Sequence, residues 1–252
     1  MGLTVHYQFN AGAAGDAREA HRLVEAARQH ALALQREGRV DEVLEISDER
    51  ENLDRFATAW LTIPLPGDSD TSCGVAVNPE EGVIFPVTIG EDCEPLWLGL
   101  CRYPRTVLDQ DKTLSTGLGR AWRFSGACKT QYAGLHGWEY FSRCHTAVID
   151  LLARWRTPGV RVKIDDEGGY WPRRSLAVLH QRLDEMNGLV AAMAGALKDS
   201  ADEAGEIDAV ESPIFQHAQF EKIEAEGVAR HGKLLRRAVA AVRGRTQDAP
   251  GS

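Results

Sequence analysis

The stretch LTVHYQFN, residues 3–10, alternates one side chain at a time: Leu3, Val5, Tyr7 and Phe9 are apolar, while Thr4, His6 and Gln8 are polar. Successive side chains of a strand point to opposite faces, so a period of two predicts a half-buried β-strand with His6 and Gln8 on its wet side. A short Gly-Ala loop follows. Asp16 then opens a helix in which Ala20, Val24, Ala27, Ala31 and Leu34 recur at steps of three and four until Gly38.

From residue 41 to 127 no helical stripe of comparable length recurs. Short runs suited to strands (VLEI, AWLTIPL, GVAV, GVIFPVTI, LWLGLC, AWRF) stand instead between Pro, Gly and Asp turns, which predicts antiparallel sheet. Helical spacing returns with Trp138, Phe141, His145, Val148, Leu152 and Trp155 and ends near Pro158. Val160, Val162 and Ile164 mark a further strand with Arg161, Lys163 and Asp165 outward. A long helix follows, its core stripe Leu176, Leu179, Leu183, Met186, Val190, Met193 and Leu197, with Pro172 in its first turn.

Strands gathered in the middle and helices at both ends read as an α+β fold: a largely antiparallel sheet with helices packed on one face, plus a C-terminal helical segment. We divide the chain into an α+β domain (1–199), an acidic linker SADEAGEIDAVES (200–212), a C-terminal helical segment (213–244) and a disordered tail (245–252). The segment ends in RHGKLLRRAVAAVRGR, basic and apolar by turns. It reads as a helix docked on the domain or on a second copy, its cations suited to the negative end of the helix dipole.

Composition narrows the partners. A formal net charge of -8 argues against nucleic acid, because phosphate neutralisation needs a basic face. The N-terminus shows no basic leader, and nowhere do about 18 apolar residues run together, so a cytoplasmic protein with no membrane partner is expected. Five cysteines without repeated spacing indicate neither a disulfide framework nor a zinc ribbon. No HExxH, GxSxG, P-loop or paired CxxC occurs. NAGAAGD (10–16) lacks the third glycine of a dinucleotide turn, and Asp16 would repel a phosphate there.

Candidate chemistry centres on AWRFSGACKTQY, residues 121–132. As one regular strand it sets Trp122, Phe124, Cys128, Thr130 and Tyr132 on one face and Arg123, Ser125, Lys129 and Gln131 on the other. Cys128 then goes inside with the aromatics as a small inert hydrophobe, unless a bulge at Gly126 flips the parity. The polar faces of three strands offer His6 and Gln8, then Arg123, Lys129 and Gln131, then Arg161, Lys163 and Asp165. A polar floor of this kind suits a small anionic ligand, with cations holding charge and amide or imidazole groups setting orientation.

We therefore take Lys129, His6 and Asp165 as candidate catalytic residues of acid/base or transfer type. Gln131, Arg123, Gln8 and the loop residue His136 are candidate ligand-binding residues. No metal site is assigned, and no cofactor is specified. Asp165, Asp166 and Glu167 before Gly168 and Gly169 would suit a hard cation or a general base, and equally a solvated turn. Adjacent helix residues point about 100° apart, so Cys144 and His145 do not form a dyad, and His145 reads as a hydrogen-bonded core histidine. The competing reading is a structural or interaction protein, a homo-oligomer joined through its helices without catalysis.

Overall fold

A computed structural model describes residues 3–12, 16–65, 68–109, 112–119, 121–204 and 212–232. In chain order its elements are β1 (Thr4–Asn10), α1 (Ala17–Arg36), β2 (Glu42–Val43), α2 (Arg50–Phe56), β3 (Ala59–Leu65), β4 (Asp68–Val77), β5 (Glu81–Thr88), β6 (Leu96–Arg102), β7 (Thr106–Asp109), β8 (Lys112–Ser115), β9 (Arg123–Lys129), α3 (Trp138–Arg154), β10 (Arg161–Asp166) and α4 (Leu176–Ala204). A 3-10 turn, Gln131–His136, joins β9 to α3. Past a second one, Pro213–Gln216, a terminal helix is described over residues 220–232.

Six strands form one antiparallel sheet in the order β10-β1-β9-β6-β5-β2. β1 lies inside it, and its alternation holds: Val5, Tyr7 and Phe9 are buried, His6 and Gln8 exposed. On the buried face, α1 presents Ala20, Val24, Ala27, Ala31 and Leu34, and α3 presents Phe141, His145, Val148 and Leu152. Phe9 stacks on Trp155 with ring centroids 4.4 Å apart. Asp16 caps α1 by accepting from the Glu19 amide, and Gly38 beyond its end takes φ +70, a left-handed conformation open to glycine.

Parity carries across the sheet through the register. Gly82 pairs with Cys101, Cys101 with Arg123, and Arg123 with Asn10, so these residues share the face opposite α1 and α3. On the β5–β6 half of that face sits α2, a short helix that the sequence reading missed within 41–127. Its Leu53 lies over Gly82, and Phe56 stacks on Trp97. The β9-β1-β10 half is left uncovered by α2. The long helices α1 and α3 therefore share one face, and α2 makes a ledge on the other.

The register from Thr4↔Lys129 to Asn10↔Arg123 runs without a slip, so Gly126 makes no bulge. Its lack of a side chain serves Tyr7, which reaches beneath β9 to donate to the Trp97 carbonyl. A Cβ on Gly126 would stand 2.5 Å from the Tyr7 hydroxyl oxygen. Burial, and then the nearby Cys128 sulfur, push the Tyr7 phenol far above its ordinary value, which keeps it a donor.

The stripe read for α4 is corrected. Leu179 and Leu183 are buried against the domain, but Leu176 is 49% exposed, and Met186, Val190, Met193 and Leu197 are only half-buried. Further along, the buried residues are small: Gly188, Ala191, Ala192, Ala194 and Gly195. They receive the terminal helix at close range, since a Cβ on Gly227 would overlap the Gly188 carbonyl. Pro172 precedes α4 rather than opening it, and Ser175 accepts from the Val178 amide at the start. α4 continues to Ala204, so the boundary read at residue 200 falls inside a helix. Residues 205–211 of the linker, 233–244 of the helical segment and the tail 245–252 lie outside the described residues. Among the described residues no helix is long and apolar enough to cross a membrane.

Candidate functional site

The open half of the polar face is built from facing rows. Gln8 of β1 stands between Ser125 of β9 and Lys163 of β10; the next row is Ala127, His6 and Asp165. The chain running from the α2 ledge into β3 adds Thr58 and Trp60 beside them as a wall. Together His6, Gln8, Ser125, Lys163, Asp165 and Trp60 line a concavity of about 460 Å³. Such a volume lies within the range of small-molecule sites.

Among the described residues, the side chains of Gln8, Ser125, Lys163 and Asp165 enter no hydrogen bond or ion pair. His6 has one weak neighbour, Glu167, with 3.9 Å between Nε2 and Oε1 and both side chains about half exposed. Glu167 is engaged elsewhere, accepting from the Thr4 amide at 2.9 Å. The floor thus offers a cation, a carboxylate, an amide, a hydroxyl and an imidazole, most of them unengaged within the protein.

Of the residues read from the sequence, His6, Gln8 and Asp165 meet here. Lys129 does not. It shares the face but stands opposite Thr4, one row beyond His6, and its ammonium sits 4.4 Å from the centre of the Tyr132 ring. The cation of the concavity is Lys163. Arg123 lies at the far end, opposite Asn10, with its Nε buried and unpartnered among the described residues. Gln131 leaves the face altogether, because β9 ends at Lys129 and the backbone turns into 3-10 geometry. Its buried amide donates to Asn187 Oδ1 of α4 at 3.2 Å. His136 also lies away from the concavity, bonded to Asp92 at 2.8 Å. Trp60 carried no signal in the sequence, since only the fold brings residue 60 beside β1.

The three carboxylates of 165–167 separate. Asp165 faces the concavity, Glu167 bonds Thr4, and Asp166 turns inward to His145, so no shared cation site forms. Asp166 Oδ1 lies 3.0 Å from His145 Nε2, and the carboxylate also accepts from the Gly168 and Trp171 amides at 2.8 Å each. Burial works to raise this carboxyl, but the bond and charge of His145 and the two amides outweigh it and hold it below the usual range. An ionised carboxylate only accepts, so His145 Nε2 points its proton at Asp166 and Nδ1 meets the Thr130 hydroxyl at 2.8 Å. Thr130, His145 and the Asp166 side chain are all buried. This chain ties β9, α3 and β10 together in the core.

Cys128 is likewise internal, its thiol donating to the Glu94 carbonyl at 3.2 Å. Burial pushes its pKa well up. Cys144 faces away from His145: a bond from Cys93 and the Arg143 guanidinium hold its thiol below the ordinary range against burial. Glu91, Asp92 and His136 bring one ligand atom each within 4.8 Å of one another, all three exposed. His136 stands 44 positions beyond Asp92 in the chain, too far for any short motif.

The chain is thus an α+β protein with a polar concavity on the uncovered part of its sheet. No known protein family, no curated protein and no solved structure matches it.

Proposed function

We propose that the uncovered sheet face binds a small anionic molecule, held by Lys163 and oriented by Gln8, Ser125, His6 and Asp165. The observation that carries this reading is the convergence of four hydrogen-bonding side chains without partners inside one concavity. In an acid/base or transfer reaction on such a ligand, His6 and Asp165 are the groups to exchange protons, standing opposite each other across β1 and β10. A cytoplasmic location accompanies the proposal, in keeping with Cys93, Cys101, Cys128 and Cys144 as free thiols.

The test is Lys163→Met, which keeps length and removes charge. In calorimetric titrations with inorganic phosphate and a panel of phosphorylated and carboxylated metabolites, the wild-type protein should bind at least one, and the variant should bind it about ten-fold or more weakly. Its unfolding free energy should change by no more than about 0.5 kcal/mol, since Lys163 is exposed. Unchanged affinity in the variant, or no binding of any anion by the wild type, defeats the reading. Lys129→Met should leave affinity unaltered.

A second reading, association of copies through their helices, is favoured by Leu176, Val178 and Val228, which are large, apolar and exposed. A monomer at all concentrations in analytical ultracentrifugation would remove it.

A further inference from the structure

We propose that the ligand of this face carries a flat ring that stacks on Trp60, so that the site takes a ring-bearing anion of nucleotide-like chemistry. This rests on the anion-site reading above and adds to it the second half of the ligand.

Trp60 is 78% exposed, more than any other large hydrophobic residue of the described chain. Four other tryptophans each meet a ring or a guanidinium within the protein. Trp97 stacks on Phe56, Trp155 on Phe9, Trp138 lies against His180, and Trp171 lies under Arg156 and Arg174. Among the described residues neither a ring nor a cation packs on the Trp60 indole. The strand alternation places it outward, because Ala59 and Ile63 take the buried positions of β3.

An indole left in water forfeits the stabilisation that burial of such a group provides. Its position makes sense of that cost, for it borders the concavity whose other lining is mostly polar. A ligand entering there meets a flat apolar wall on one side and hydrogen-bonding groups on the floor. A planar ring satisfies both: its face stacks on the indole, while its edge meets Gln8, Ser125 or Asp165. Its anionic group then meets Lys163. Recognition of a lone quaternary cation would call for a cage of several aromatics, and one tryptophan beside a lysine does not supply it.

The experiment compares adenosine 5′-monophosphate with ribose 5-phosphate, which share the anionic sugar phosphate and differ by the ring. Titration calorimetry on the full chain should show the first binding about ten-fold more tightly. Trp60→Ala should erase that ratio while leaving ribose 5-phosphate affinity unchanged, and Trp60→Phe should keep most of it. Lys163→Met should weaken both probes and preserve the ratio. Equal affinities in the wild type, or a ratio that survives Trp60→Ala, overturn the stacking inference and leave the anion site standing. If neither probe binds, the inference is overturned, and the metabolite panel with Lys163→Met decides separately whether the anion site exists.

Discussion

His145 Nε2 and Asp166 Oδ1 lie 3.0 Å apart with both side chains fully buried, joining helix α3 to the end of strand β10. This contact lies beneath the candidate site rather than in it. The residue before Asp166 faces the concavity, so the buried pair fixes the strand end that presents Asp165.

Asp166→Asn should therefore destabilise the fold at neutral pH by about 1–3 kcal/mol, the cost of leaving the buried His145 imidazole and the Gly168 and Trp171 amides short of their acceptor. The folded carboxyl is depressed, so its contribution is complete above the unfolded value near pH 4 and is lost as pH falls from there through the folded value. Urea denaturation between pH 2 and 7 should show wild-type stability falling on that limb and a flatter profile for the variant. Identical profiles would mean that Asp166 does not carry it.

Gly126→Ala should destabilise by about 1–3 kcal/mol, because the added methyl meets the Tyr7 hydroxyl and breaks its bond to the Trp97 carbonyl. Tyr7→Phe removes the atom in the way, at the expense of the same bond. The double variant should accordingly lose less than the sum of the two single losses, by at least about 0.5 kcal/mol in a double-mutant cycle. Strict additivity would contradict the contact.

Native Cys128 should resist iodoacetamide at neutral pH, being buried and shifted toward the neutral thiol by that burial. Cys101, pushed up to about 12 by burial, should resist it too. Mass mapping after brief alkylation, set against a urea-unfolded control, checks both. Fast labelling of Cys128 in the folded protein would place it at the surface.

Leu183→Ala should cost about 2–5 kcal/mol, whereas Leu176→Ala, seven residues earlier on the same read stripe, should cost no more than about 0.5 kcal/mol. Leu183 packs on Gly134 of the 3-10 turn, while Leu176 stands half in solvent. Chemical denaturation of the two variants compares them directly, and equal losses would restore the uniform stripe.

These residues also mark how far the chain can be read without its fold. The alternation of residues 3–10 and 160–165 determined which side chains of β1 and β10 face solvent, because strand parity is a local property of backbone geometry. The helical spacing of α1 and α3 did the same for their buried faces, and the clustering of strand-like runs determined the α+β class. Only the tertiary structure decided that β1 lies between β9 and β10, which puts His6 across from Asp165 more than 150 residues away. It likewise replaced Lys129 with Lys163 as the cation of the concavity, turned Gln131 inward to Asn187, and brought Trp60 to the wall. Strand order and register follow from which apolar faces bury one another best across the whole chain. That competition leaves no trace in the spacing of any one segment.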